Sequence, residues 1–442
     1  MGGNGRLRIA VIGSGISGLS AAWLLAKRHD VVLYERAERL GGHSNTVTAR
    51  LRDTSVPVDT GFIVYNEPAY PNLTALFAHL RVETQPSDMS FAVSLRGGAT
   101  EYSATDISGL FAQRSNLIRP RFWSMLKGIL RFYREAPRDV GLLSENGMTL
   151  GQYLAERKHG AAFINDHLLP MAAAVWSAPA QAILDYPAAG FIRFCANHGL
   201  LQISGRPPWR TVAGGSRSYV EAFATALSPS IRLSNGITRM TRNEGSVTLR
   251  DQSGATDRFD HAVIATHADQ ALAMIENPTT DEKDLLGAVR YSRNLAVLHC
   301  DASMMPKRRG AWSSWNYIDS GDGLCVTYWM NRLQGFSGPD LFVTLNPPRP
   351  PRAGMLLHSE LYEHPILDHD AVRAQRRLWS LQGVRRTWYC GGHFGAGFHE
   401  DGLQSGLAVA EQLGGLRRPW TVADENGRIH IGKPHGGRER AW

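Results

Sequence analysis

The sequence predicts an α/β protein in which a three-layer domain with a parallel sheet is interrupted by an inserted α+β domain. Three observations carry that prediction. Residues 8–35 read strand, glycine turn, helix, strand; strand-like runs return between 231 and 266; a second glycine-rich turn enters a helix near 391–413. Residues 9–12 form a short apolar run of the kind buried on both faces of a parallel sheet.

Gly13, Gly15 and Gly18 then fall at G-x-G-x-x-G spacing, with Ser14, Ile16 and Ser17 between them, and 19–27 reads as a helix. Gly13 permits a tight turn, Gly15 lets a pyrophosphate approach the backbone, and Gly18 lets the helix lie on the strand. The free N–H groups and positive dipole end of that helix face the phosphates. A second strand at 31–34 closes on Glu35, placed to accept from a ribose 2′-OH, and Arg36 follows. Strand, turn, helix, strand and acid in register predict a Rossmann-like dinucleotide site.

A chain of 442 residues exceeds one simple core, so two domains are expected. With 43% hydrophobic and 20% charged residues, large-scale disorder is excluded. Cys195, Cys300, Cys325 and Cys390 are scattered without C-x-x-C, which indicates neither a zinc site nor a disulfide framework. The first strand begins almost at once and no stretch reaches eighteen apolar residues. A cytoplasmic location is the expectation. The net charge of +8 gives weak support for contact with a phospholipid surface, peripheral at the inner membrane. It gives none for nucleic acid, because no nucleic-acid motif accompanies it.

Gly41 and Gly42 make a second backbone bend soon after Glu35. A strand-like run at 58–65, a helix at 70–80 and a hairpin over 90–95 and 101–103 follow. Residues 105–205 are helix-rich. Pro120 opens a helix to about 135 with Phe122, Met125, Leu126, Ile129, Leu130 and Tyr133 at helical spacing and a basic complement. Such a helix can lie in a bilayer interface; packing of its stripe on the core is the favoured expectation. A strand and glycine turn at 209–216 lead into a helix at 219–227. Strands at 231–233, 237–241, 247–249 and 258–264 come next, with Asn235-Gly236 as a hairpin signal between the first two. Residues 428–431 in the tail read as strand-like.

The second anchor is 387–406, TWYCGGHFGAGFHEDGLQSG, where a short strand runs into a loop with four glycines. Gly402 is expected to start a helix capped by Asp401, with Leu403, Leu407, Ala410 and Leu413 as its apolar stripe. Ser405 and Gly406 are small enough to let that helix approach a ring. A nicotinamide cofactor does not require this second grip. A flavin dinucleotide does, because its ring lies far from the pyrophosphate, and a helix N-terminus near it stabilises charge developing on reduction.

With these motifs in place, the chain resembles the FAD-dependent amine oxidase and phytoene desaturase superfamily over nearly its whole length. More narrowly, GGHSNT, DTGFIVYNEPAYPNL, VIATHADQAL and the 387–406 segment are similar to a bacterial flavoprotein group associated with cyclopropane-fatty-acyl-phospholipid synthases. The resemblance implies FAD as cofactor, Ile237 on the adenine side, and contacts from Ala265, Gly392, His393, Gly402 and Leu403. It implies an acyl-chain or phospholipid substrate. The order of these segments along the chain assigns about 1–85, 205–280 and 380–417 to the FAD domain and about 86–204 and 281–379 to the substrate domain, leaving 418–442 as a tail. His43 stands where amine oxidases carry the Arg of Gly-Gly-Arg, His393 replaces an acidic residue, and Asn294 falls where a lysine holds water at the flavin. His399, three residues before Gly402, is the candidate group near the reactive face.

No second G-x-G-x-x-G serves a nicotinamide donor, and no Ser-His-Asp or H-E-x-x-H motif competes. The expected function is FAD-dependent hydride removal from an apolar, fatty-acyl substrate, of desaturase or dehydrogenase type. The alternatives are a flavin amine oxidase and a non-catalytic flavoprotein partnering a lipid-modifying methyltransferase.

Overall fold

The computed structural model describes residues 5–176, 180–227, 231–319 and 325–432. Its organising element is a five-stranded parallel sheet. The strand order is Ile231–Arg232, Asp30–Tyr34, Arg8–Ile12, His261–Ile264, Thr387–Tyr389. The first strand is central, so Ile9, Ala10, Val11 and Ile12 are buried, as a run with no polar face requires.

The first helix, Ile16–Leu25, is buried along its length and packs against the final helix, His399–Gly414. Small residues set their separation. A Cβ on Gly406 would meet Ser20 Oγ at 2.5 Å, and one on Gly402 would meet Ile16 Cγ2 at 3.0 Å. These two helices therefore bring residues far apart in sequence to the same end of the sheet.

An antiparallel meander (Ile237–Arg242, Val247–Asp251, Thr256–Phe259) packs on the parallel sheet through Tyr34 and Phe259. Two sequence expectations are corrected here. The 258–264 run is two strands in two sheets, because Asp260 turns the chain alongside Arg8, each backbone N–H bonding to the other residue at 2.8 Å. Asn235-Gly236 is no hairpin. It carries the chain from the parallel sheet to the meander, with Asn235 N–H bound to the Glu35 carbonyl. Gly236 is needed for close approach: a Cβ there would lie 2.7 Å from Arg36 Cβ.

The second large sheet has seven strands, in the order Leu356–Ile366, Arg290–His299, Phe342–Leu345, Val326–Trp329, Trp315–Ile318, Phe91–Leu95, Thr100–Ser103. Its neighbours are antiparallel except Trp315–Ile318 with Phe91–Leu95. A second hydrophobic core lies between this sheet and the helices of 120–197.

The expected 58–65 strand is broken: Ser55–Asp59 pairs with Thr46–Arg50, and only Tyr65–Asn66 resumes as strand. Gly61 marks the break, since a side chain there would collide with the His43 carbonyl. The long helix, Pro120–Asn146, runs through Pro137, past its expected end. Burial of Phe132, Ala136 and Leu143 along one face offsets the one backbone bond that an exposed proline removes. Residues 428–431 form no strand; 433–442 lie outside the described residues. No helix among the described residues is long and apolar enough to cross a membrane.

Candidate active site

A cavity of about 740 Å³ runs between the ends of the parallel-sheet strands and the seven-stranded sheet. Its first part is built from backbone. Gly13 sits at φ +100°, and a Cβ on it would lie 2.8 Å from the Ala265 carbonyl oxygen. Gly15 has open space where its Cβ would be, and as N-cap it offers the first helix no side-chain cap. The helix donors at this end therefore point where a phosphate can take them. Gly41 and Gly42, both at positive φ, bring the next loop over this turn, with Gly41 N–H bound to the Ser14 carbonyl at 3.0 Å. A Cβ on Gly42 would lie 3.1 Å from Gly15 Cα.

Glu35 accepts from the Ser14 N–H at 2.9 Å and hydroxyl at 2.6 Å, and from Ala37 N–H at 2.9 Å. It lines the cavity beside Arg36 and Ile237. Gly13, Ser14, Gly15, Ile16, Ser17, Gly41, Gly42, His43, Ala265, Gly392, His393, His399 and Gly402 also line it.

Three residues expected at the cofactor do not line it. Gly18 is a packing spacer, its missing Cβ falling 3.0 Å from Ala265 Cβ and against the Gly13 carbonyl. Leu403 is wholly buried in the core. Asp401 is not the N-cap, because the helix begins at His399 behind Phe398. It reaches back from the third position to accept from Phe398 N–H at 2.7 Å. Its other task is to hold the half-buried Arg428 guanidinium, Nε to Oδ1 2.7 Å, which docks the tail. Ser405 and Gly406 face Gly391 and the first helix rather than the cavity. Buried Glu400 accepts from the N–H groups of Asn72 and Leu73 at 3.0 Å and so caps the Pro71–Leu80 helix.

Histidines dominate the polar lining. His43 donates from Nε2 to the Glu363 carbonyl at 3.2 Å, and its ring lies 6.1 Å from His267, 5.5 Å from His364 and 5.1 Å from Tyr362. Burial first, then the neighbouring histidines, hold His43 well below its ordinary pKa; burial brings His364 down to about 4. Asn294 sits behind this cluster, its amide donating to His364 Nδ1 at 2.9 Å and accepting from Asn346 at 2.8 Å. His267 and His364 escaped sequence reasoning. The available signal was the position of His267, just past a parallel strand's C-terminal end, where α/β sheets gather ligands.

His399 is half-buried, stacked on Phe62 at 3.7 Å, with Nε2 at 2.9 Å from Ser44 Oγ and 3.0 Å from Tyr219 Oη. Burial pulls its pKa down to about 3, so it is a neutral imidazole at pH 7. His393 is buried and likewise lowered to about 3, and its Nε2 has no partner.

The far part of the cavity is built from side chains. Phe194 packs on Phe398 at 4.6 Å, Trp176 at 4.6 Å and His198 at 3.9 Å. Met89, Val175, Leu200, Trp209, Trp315, Tyr328 and Leu345 extend this wall. It bears no charged side chain: the charged residues lining the cavity are Glu35, Arg36, Arg39, Glu360 and Glu363. The indole N–H groups of Trp176 and Trp315 and Nε2 of His198 have no partner. Since His198 Nδ1 faces the Phe194 carbonyl at 2.9 Å, Nδ1 carries the proton and Nε2 is an acceptor.

The open Cβ space at Gly15, the uncapped first helix, the double glycine bend and the unpartnered His393 Nε2 together fit an extended dinucleotide such as FAD.

Comparison with known proteins agrees. The family described as flavin containing amine oxidoreductase matches residues 16–300. An L-amino acid oxidase of Cerastes cerastes is 52% identical over 40 residues, 9% of this chain. The match spans only 8% of that protein's length. Among solved structures, cyclohexylamine oxidase from Brevibacterium oxydans superposes with a TM-score of 0.66 at 18% identity, over 92% of this chain and 100% of that one. A putative protoporphyrinogen oxidase from Exiguobacterium gives 0.66 at 14%, over 93% and 99%. A fatty acid isomerase producing CLA from P. acnes gives 0.65 at 15%, over 92% and 98%. At these identities the likeness is one of fold.

Proposed function

Because the chain belongs to the flavin containing amine oxidoreductase family and is an FAD-dependent oxidoreductase, we propose that it takes a hydride from an apolar, acyl-chain-bearing substrate. The observation that carries this reading is the uncharged aromatic and aliphatic wall from Trp176 to Leu345. Burying a charge against such a wall without a partner is costly, whereas a hydrocarbon chain gains from leaving water there.

FAD, when bound, supplies the two-electron acceptor. Gly13 to Ser17 would hold its phosphates, Glu35 its ribose, and the loop from Gly391 to Gly402 its ring end. The residues of this chain do the rest by binding and exclusion. Phe194, Phe398 and Trp176 pack the chain and shut out water. His399 is proposed as the polar group nearest the reacting carbon. Its ring is fixed flat on Phe62 by the hydroxyls of Ser44 and Tyr219, and its neutrality keeps a fixed charge out of the chamber. The indole N–H groups of Trp176 and Trp315 are buried, unspent donors that an ester or carboxyl oxygen would meet once the side chains adjust to a bound substrate.

A second reading, oxidation of an amine, is favoured by a different observation: aromatic faces also receive an ammonium, and several structural neighbours are amine oxidases. Anaerobic bleaching of the flavin near about 450 nm separates the two. Bleaching on adding unsaturated or methylated phospholipids or fatty acids supports the acyl reading. Bleaching by an amine panel and not by lipids overturns it. Flavin that stays oxidised with both overturns it in favour of a supporting role beside a lipid-modifying methyltransferase.

A further inference from the structure

Half of the exposed large apolar side chains among the described residues come from one stretch of the chain, 107–142: Ile107, Leu117, Ile118, Trp123, Leu130 and Leu142. They fall on the long Pro120–Asn146 helix and the short helical turns just before it. Ile118 is 84% exposed, Leu142 67%, Leu130 55% and Trp123 50%. The helix buries its other face normally, through Phe122, Met125, Phe132 and Ala136, so this exposure is not poor packing. Leu117, Ile118, Trp123 and Leu130 lie close along the turn and the start of the helix, and exposed apolar groups gathered in this way mark an interaction site.

Its chemistry narrows the partner. Trp123, Lys127, Leu130 and Arg134 follow one another at spacings of four, three and four residues, which places them on a single line along the outer face. Apolar and cationic side chains therefore alternate along it, and Arg114 and Arg138 are exposed at its flanks. The carboxylates nearby are committed: Glu135 is shared by Arg131 and Arg134, a trio that keeps one net positive charge, and Asp106 caps the turn at Ile107. Trp123 is pinned by its indole N–H, which donates to the Leu117 carbonyl at 2.9 Å.

A protein partner would bury this line in an interface core, where lysine is depleted. A bilayer surface suits it. Indole and aliphatic groups enter the headgroup boundary while lysine and arginine reach up to anionic phosphates. We infer that the outer face of the Pro120–Asn146 helix, with the Leu117–Ile118 turn, docks this protein on an anionic phospholipid bilayer. The inference stands independently of the substrate reading above.

The test uses the full-length, FAD-loaded protein and sedimentation with vesicles of phosphatidylcholine alone or with phosphatidylglycerol. Binding to the anionic vesicles, weakened by salt and absent with phosphatidylcholine alone, is the expected result. The double variants Trp123→Ser with Leu130→Ser, and Lys127→Glu with Arg134→Glu, should each weaken it by about tenfold or more. Leu356→Ser, exposed elsewhere, should leave it unchanged. Flavin absorbance and circular dichroism establish that each variant is folded. Failure to sediment with either vesicle, or folded variants that sediment like the native protein, would overturn the inference. So would a self-associated form that these variants dissolve, which would make the face a contact between copies of this chain.

Discussion

The two ends of the cavity are made in opposite ways. At the dinucleotide end the protein works by omission: Gly13, Gly15, Gly18, Gly41 and Gly42 lack side chains, so backbone groups face the ligand or another backbone directly. At the far end it works by accumulation. Trp176, Phe194, His198, Trp209 and Phe398 come from separate helices, a strand and a loop, and meet only in the folded chain. The first kind of site is rigid and general, suited to a group shared by many enzymes. The second is free to vary without disturbing the first, which is how one fold carries many substrates.

The comparison breaks most visibly at Gly18. Alanine there puts a Cβ against the Gly13 carbonyl, and backbone must yield on one side. A loss of about 3 kcal/mol with loss of bound flavin is expected, read by thermal unfolding and the visible spectrum. Phe194→Ala is the matching change at the aromatic end. It should cost about 2–3 kcal/mol through the space it empties yet leave flavin content unchanged, so a colourless variant would mean the ends are not separable.

Gly15→Ala sharpens the contrast within the cradle. Its φ of −63° suits alanine and nothing lies near the added methyl. Stability of the flavin-free protein should hold while FAD affinity falls by about tenfold, or about 1.4 kcal/mol, measured by flavin fluorescence titration.

Acid titration probes one histidine from each end. Burial lowers His198 and His393 to about 3, so between that value and the unfolded value the native state binds fewer protons than the unfolded one. Stability is therefore full above the unfolded pKa and falls as pH drops, each histidine adding about 1.4 kcal/mol per pH unit. Urea unfolding at neutral pH and at successively lower pH should show this slope, and His198→Phe should remove one proton's share. The smallest effect is expected from Trp176→Phe, which deletes an unpartnered donor. Stability should change by less than about 1 kcal/mol, while the apparent affinity for an oxygen-bearing acyl substrate weakens.

Much of the architecture was legible because its signals are local. The strand–turn–helix at 8–25 needs only apolar residues, three glycines and a helix former in order. The errors arose where the outcome depends on what the chain meets. Asn235-Gly236 looks like a hairpin until the flanking strands join different sheets. Asp401 has the form of an N-cap, but the helix starts earlier, at His399, and Asp401 serves it from the third position while also holding Arg428, 27 residues later. The long helix passes Pro137 because its core face continues beyond it.

The amino-acid sequence alone determined the dinucleotide cradle and the glycine bend that faces it, since both are properties of backbone freedom over a few neighbouring residues. Only the tertiary structure decided that His43, His267 and His364 share one wall, that His399 rests on Phe62 between two hydroxyls, and that the far end of the cavity is uncharged. Those facts are distances between side chains from unrelated segments, and packing, not local propensity, sets them.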